Sequence, residues 1–270
     1  MSTLFLVHAH PDDEAISTGG VMARADEEGR RVVLVTATRG EVGEIHNMDE
    51  AESRPRLAEI RTEELRRAGE LLGVDRQEFL GYRDSGMVGT GDNDNPSSFH
   101  QAPLAEAAER IAAFLREEKP DVVVTYGPDG LYGHPDHVKA HHATVAALDL
   151  LEREGWQPAK AYFVCFPESG MARLAEMLRE AGREDILQAT SDVRGVPDED
   201  IAAVIDVGAY ADVKMRAFRE HSSQNNPESP FLNMRGKIAQ AMMATESYVL
   251  ARGFMGDAEQ ETDLFQGIPR

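Results

Sequence analysis

Short, nearly uninterrupted apolar runs alternate with longer amphipathic ones along this 270-residue chain, and that alternation leaves few folds open. Residues 3–8 (TLFLVH), 31–38 (RVVLVTAT) and 121–126 (DVVVTY) are apolar or β-branched at almost every position. Strands of that kind are buried on both faces, as in a parallel sheet covered by helices. Between and after them, residues 20–28, 56–72, 104–118 and 137–154 carry helical spacing. In the second of these, Leu57, Ile60, Leu65, Ala68, Leu71 and Leu72 mark the apolar face. Further strands are expected at 78–82, 161–166 and 201–207, and a helix at 210–221. The expected architecture is α/β, a Rossmann-like, mostly parallel sheet flanked by helices, with a core over residues 1–225. Residues 226–270 are expected as a C-terminal extension packed on or extending from that core, with a helix over 236–251 and an acidic arm over 257–270.

Composition removes several functions. With 28 Lys+Arg against 48 Asp+Glu, the net charge is −20, which repels phosphate backbones and anionic membrane surfaces. A hydrophobic content of 41% argues against disorder. One cysteine, Cys165, excludes an internal disulfide framework and a cysteine-built zinc site. It lies in an apolar run and reads as a buried strand residue. The N-terminus lacks a basic n-region, and no apolar stretch approaches the ~18 residues a membrane span needs. A cytoplasmic protein is the expectation, with no nucleic-acid or membrane partner.

In open parallel sheets the ligand site lies beyond the carboxyl ends of the strands. Two of those ends are unusual. The first strand runs into His8-Ala-His10-Pro11-Asp12-Asp13-Glu14, and the strand ending at Tyr126 is followed by Tyr132-Gly133-His134-Pro135-Asp136-His137. Proline and acids suit a helix start, which accounts for Pro-Asp in each cluster. Helix starts do not account for the histidines. Two His-Pro-Asp clusters at one predicted sheet edge point to a metal site. Imidazole nitrogens and carboxylate oxygens suit Zn²⁺, with Fe²⁺ as the alternative, better than Mg²⁺. A dinucleotide site is disfavoured, because the turn after the first strand lacks G-x-G-x-x-G.

These two clusters together resemble the LmbE-like, or PIG-L, zinc-dependent N-deacetylases, which remove acyl groups from N-acylglucosamine derivatives. The resemblance is nearest to the actinobacterial mycothiol-pathway branch, which deacetylates GlcNAc-inositol or cleaves mycothiol conjugates. Supporting matches are Thr38-Arg-Gly-Glu-Val-Gly-Glu44, Arg61, Arg83-Asp84-Ser85-Gly86-Met87 and Lys214…Ala217…His221-Ser-Ser-Gln224. The resemblance implies His10, Asp13 and His137 as metal ligands and Asp12 as general base. It implies His134 at the oxyanion or leaving amine, and Tyr132 near the oxyanion. Chemically, a protonated His134 would meet developing negative charge, with Asp136 holding its tautomer and raising its pKa. Glu44, Arg61 and Asp84 match positions that contact sugar hydroxyls. The implied substrate is a small amino sugar, and family members include monomers and rings, so a homo-oligomer is compatible. The conjugate-amidase branch tends to carry Lys four residues after Asp13; Ser17 stands there, which leans toward deacetylation. Asp12 argues against a protein that merely stores metal or sugar. His8 and His141 are expected in structural roles. Residues 86–101 are expected as a surface loop, either mobile or walling the site.

Overall fold

The apolar runs form the centre of one seven-stranded sheet. The computed structural model describes residues 1–226, 243–256 and 259–269. Its strands are β1 Thr3–His8, β2 Arg31–Thr38, β3 Arg76–Tyr82, β4 Val122–Tyr126, β5 Lys160–Cys165, β6 Ala203–Asp206 and β7 Thr245–Gly253. Their order is β3-β2-β1-β4-β5-β7-β6. Strands β1 to β5 pair in parallel; β7 runs antiparallel between β5 and β6. β1 and β4 are buried along their whole length, as two-sided cover requires.

The helices follow in chain order: α1 Asp13–Ser17, α2 Gly19–Glu27, α3 Glu50–Ser53, α4 Leu57–Leu71, α5 Leu104–Glu118, α6 Gly130–Gly133, α7 Pro135–Arg153, α8 Glu168–Glu180, α9 Glu184–Ala189 and α10 Ala211–Glu220. α5 packs on α7, while α10 packs on α4, α2 and α1. β1 connects outward to β2, and β4 connects outward to β5 in the opposite direction. The crevice between the carboxyl ends of β1 and β4 is therefore the topological switch point. Both His-Pro-Asp clusters leave the sheet there. Among the described residues no helix is long and apolar enough to cross a membrane.

The C-terminal part differs from expectation. Residues 227–242 lie outside the described residues, so the first part of the helix expected over 236–251, residues 236–242, is not addressed. Its end is strand, not helix: Thr245–Gly253 is β7. Tyr248 packs edge-on against Tyr162 of β5, and Glu246 accepts the Gly20 and Val21 N–H groups at 2.7 and 2.9 Å. These distant partners override the local helical spacing. The acidic end packs on the core, one of the two arrangements expected of it. Glu261 is fully buried with Lys160 and Tyr162 as partners, and Leu264 and Phe265 join the core. Arg30 grips Asp263 through two hydrogen bonds of 2.9 and 3.0 Å and stacks on Phe265. Residues 86–101 are tied in as well, with Asn93 donating to the carbonyls of Ser85 and Gly86 and Phe99 buried against Tyr82. Cys165 is buried, and burial pushes its thiol up to about 12, so it is an inert strand residue.

Candidate metal centre

Chain direction brings the first cluster to the site. β1 ends at His8 and aims His10, two residues on, at the crevice. Asp12 then turns the backbone with φ 106° and ψ −28°, a left-handed conformation rare outside glycine, and α1 starts at Asp13. The second cluster enters from β4. His134 caps α7: its Nδ1 accepts the Asp136 N–H at 3.1 Å, and Pro135 opens the helix. Gly130 allows the approach, since a Cβ there would lie 2.7 Å from the His137 Cβ.

Three side-chain donors then meet. His137 Nε2 lies 3.3 Å from His10 Nδ1 and 3.3 Å from Asp13 Oδ1, and His10 Nδ1 lies 3.6 Å from Asp13 Oδ2. Ligands of a tetrahedral Zn²⁺ at ~2.0–2.1 Å from the ion stand about 3.3–3.4 Å apart. The spacing thus fits a metal better than it fits direct hydrogen bonds. Among the described residues, His10, His134 and His137 also form a buried group able to hold an ion, and so do His10, Asp84 and Asp136. Charge agrees. Burial disfavours a positive His10, yet Asp84, Asp13 and Asp136 hold it well above its ordinary pKa. Four carboxylates around three imidazoles leave negative charge for a cation.

The outer partners are specific. Asp136 Oδ2 faces His10 Nε2 at 3.2 Å and accepts the Ser85 N–H at 3.0 Å; the Ser85 hydroxyl donates to its other oxygen. The Asp136 carboxylate therefore orients His10, not His134. Only its backbone N–H reaches His134, because the cap geometry turns the side chain inward. The expected protonated His134 also differs. Burial, with the His10 and His137 rings nearby, holds it far below its ordinary value, so it is a neutral ring carrying its proton on Nε2. Tyr126, which sequence reading passed over, donates to Asp13 Oδ2 at 2.7 Å, accepts the Ala9 N–H at 2.9 Å and stacks on His137 at 4.3 Å. Its one sequence signal is a tyrosine ending a buried valine strand, whose hydroxyl must find partners. His8 bonds Tyr126 and Thr18, and His141 bonds the Tyr126 carbonyl, the structural roles expected of both.

Asp12 stands beside the donors without joining them. Its carboxylate pairs with Arg61 Nη2 at 3.2 Å. Its enclosed position pushes it up to about 6; Arg61 pulls the other way and Asp13 adds to the rise. Arg61 is buried and also donates to the carbonyls of Gly40, at 2.7 Å, and Pro11. Asp84 is buried, 3.6 Å from His10 Nε2, and accepts the Gly86 N–H. Burial opposes its charge, but His10 and that N–H hold it below the usual carboxylate range. Arg61 and Asp84 are thus engaged within the cluster. Glu44 is not brought to it: its exposed carboxylate faces His46 at 3.2 Å. Tyr132 stands at the rim with its hydroxyl 3.3 Å from His137 Nε2.

Gly40 explains part of the Thr-Arg-Gly-Glu match. It has φ +64°, and a Cβ would sit 2.0 Å from Arg61 Nη1. Gly40→Ala is expected to displace Arg61, lowering the urea midpoint by the equivalent of ~1–3 kcal/mol. The same variant should lower kcat while metal content, read by elemental analysis, stays unchanged.

The domain family described as "PIG-L: GlcNAc-PI de-N-acetylase" matches residues 5–148. The chain is 42% identical to a 1D-myo-inositol 2-acetamido-2-deoxy-alpha-D-glucopyranoside deacetylase of Geodermatophilus obscurus, over 98% of both chains. A protein of the same name from Streptomyces scabiei is 41% identical, over 98% of this chain and 90% of that one. In fold, the chain is similar to N,N'-diacetylchitobiose deacetylase from Pyrococcus horikoshii, with TM-score 0.62 and 21% identity over 92% of this chain and 83% of that chain. A family match across both His-Pro-Asp clusters, joined to near-full-length identity with these deacetylases, shows that the chain belongs to the PIG-L, GlcNAc-PI de-N-acetylase, family.

Proposed function

We propose that the protein hydrolyses the amide of an N-acetylglucosaminyl compound of the GlcNAc-inositol kind, releasing acetate and a free amine. One observation carries the reading: Asp12 lies beside three donors spaced for a metal, yet Arg61 holds it and it pairs with neither His10 nor His137. Metal storage has no use for such a carboxylate. Identity of 42% with a protein named for that deacetylation supports the substrate class.

His10, Asp13 and His137 would hold the ion, Zn²⁺ or Fe²⁺. When bound, such an ion polarises a carbonyl oxygen and acidifies water. The remaining work falls to side chains. Asp12, ionised at neutral pH but more basic than an ordinary carboxylate, takes the proton of the attacking water. His134 points its Nε2–H toward the carbonyl oxygen as negative charge develops, and the Asp136 N–H keeps it in that tautomer. Tyr132 at the rim adds a second donor. The proton held by Asp12 then returns to the leaving nitrogen, so one water and one amide give one carboxylic acid and one amine. Asp84 and Arg61 position His10 and Asp12; Glu44, whose exposed carboxylate faces His46 outside the cluster, would meet only a part of the substrate that extends beyond it. Ser17, whose hydroxyl is engaged with the Asp13 carbonyl at 2.6 Å, stands where the conjugate-amidase branch tends to carry Lys, which favours deacetylation. The enzyme acts in the cytoplasm.

Amine release measured across GlcNAc, GlcNAc-inositol and a bulky acyl-cysteine conjugate of glucosaminyl-inositol tests this. The highest kcat/KM is expected for GlcNAc-inositol. A faster conjugate would reassign the protein to amidase chemistry, and no amine release from any of the three would remove the proposal.

A further inference from the structure

The His221-Ser222-Ser223-Gln224 segment supplies no donor to the metal cluster, yet His221 is completely buried. Its Nε2 lies 2.7 Å from Glu14 Oε1, and the other oxygen of Glu14 accepts the Asp12 N–H at 2.9 Å. Glu14 is likewise without exposure. Glu14 thus spans the two, one carboxylate oxygen against His221 Nε2 and the other on the Asp12 N–H. We propose that His221 is a positioning residue for the base: through Glu14 it holds the backbone turn that aims the Asp12 carboxylate.

Three observations converge on this role. First, Asp12 adopts φ 106°, and a non-glycine residue stays there only when its surroundings over-determine it. Second, the turn is gripped from two sides. Arg61 takes the Asp12 carboxylate and the Pro11 carbonyl, and Glu14 takes the Asp12 N–H. Third, both grips trace to one helix face. Glu64 follows Arg61 by three residues on α4, is buried, and accepts the N–H and hydroxyl of Ser223 at 2.7 and 2.6 Å. Arg61 thus holds Asp12 directly, while Glu64 fixes the segment that places His221. Of the two grips, only the one through Glu14 reaches the backbone of Asp12 itself, where the strain lies. A free Glu14 carboxylate, next to Asp12 and Asp13, would be repelled by both; the His221 donor gives it a reason to stay.

The test compares two side chains of similar length that differ in the donor. His221→Gln is expected to keep kcat within about threefold, whereas His221→Met should lose about 10- to 100-fold, the scale of a small misplacement of a catalytic group. In His221→Met, KM and one metal per chain should be unchanged, and its crystal structure should show Asp12 outside the positive-φ region. Equal kcat in the two variants, or a loss in His221→Met that accompanies metal loss, would overturn the proposal. If His221→Met does not fold, Glu14→Leu removes the same grip and should show the same kcat loss; unchanged kcat there overturns it equally. The inference rests on Asp12 being the base, and the two fail apart: an active Asp12→Ala removes the base, while an inactive Asp12→Ala beside a fully active His221→Met removes only the positioning role.

Discussion

Asp12→Ala is expected to lower kcat by about 10²- to 10⁴-fold, the range a positioned proton acceptor contributes. Metal content should stay at that of the parent, because no contact of Asp12 reaches His10 Nδ1 or His137 Nε2. Its carboxylate pairs with Arg61, its N–H with Glu14 and its carbonyl with the Ala15 N–H. A loss of metal together with activity would show that Asp12 is a ligand, not a base. Asp12→Gly sharpens the result. Glycine accepts φ 106° without strain, so this variant should be as inactive as Asp12→Ala yet more stable than the parent by ~1 kcal/mol or more. Urea unfolding of the two variants checks this. If both unfold with the parent's midpoint, the left-handed turn stores no strain.

His137→Ala should give the opposite split, with metal and turnover lost together. His137 Nε2 is 3.3 Å from both His10 Nδ1 and Asp13 Oδ1, so its removal opens one corner of the donor triangle. Loss of an outer partner typically weakens a metal site about 10- to 100-fold, and loss of a donor itself should exceed that. Thermal unfolding offers an independent readout. An ion present at ~1,000 times its Kd adds ~4 kcal/mol to folded stability. A chelator should therefore lower the Tm of the parent and of Asp12→Ala, and leave that of His137→Ala unmoved. A His137→Ala protein that keeps one tightly held metal would shift the site to His10, Asp84 and Asp136.

Much of the catalytic neighbourhood was legible from residue types at strand ends. Runs such as VVVTY and RVVLVTAT can be buried only on both faces, so they had to be central and parallel. Short loops after β1 and β4 then left their histidines nowhere to go but the crevice. Where the determinants are local, elements form where spacing places them: β1, β2, α4 and α5 fall within about a residue of the spans expected from spacing. The roles of His134 and Asp136 were not legible in the same way. Whether Asp136 turns toward His134 or His10 depends on how the first turn of α7 is capped and on Ser85 arriving from another loop.

The chain by itself determined that a helix-covered parallel sheet forms and that two His-Pro-Asp clusters share its edge, because burial pattern and strand-end chemistry are written in neighbouring residues. Tertiary structure alone decided that residues 245–253 are a strand, since β5, β6 and the N–H groups of α2 select it over the local helical spacing. It also decided that Glu261 and Phe265 close the core, that Tyr126 supports Asp13, and that Arg61 and His221 hold Asp12 from opposite sides. The side-chain contacts among these, Asp12 with Arg61, Asp13 with Tyr126, Tyr162 with Glu261 and Glu14 with His221, join residues 49 or more positions apart, where periodicity carries no information and only the packed chain says which buried polar group meets which.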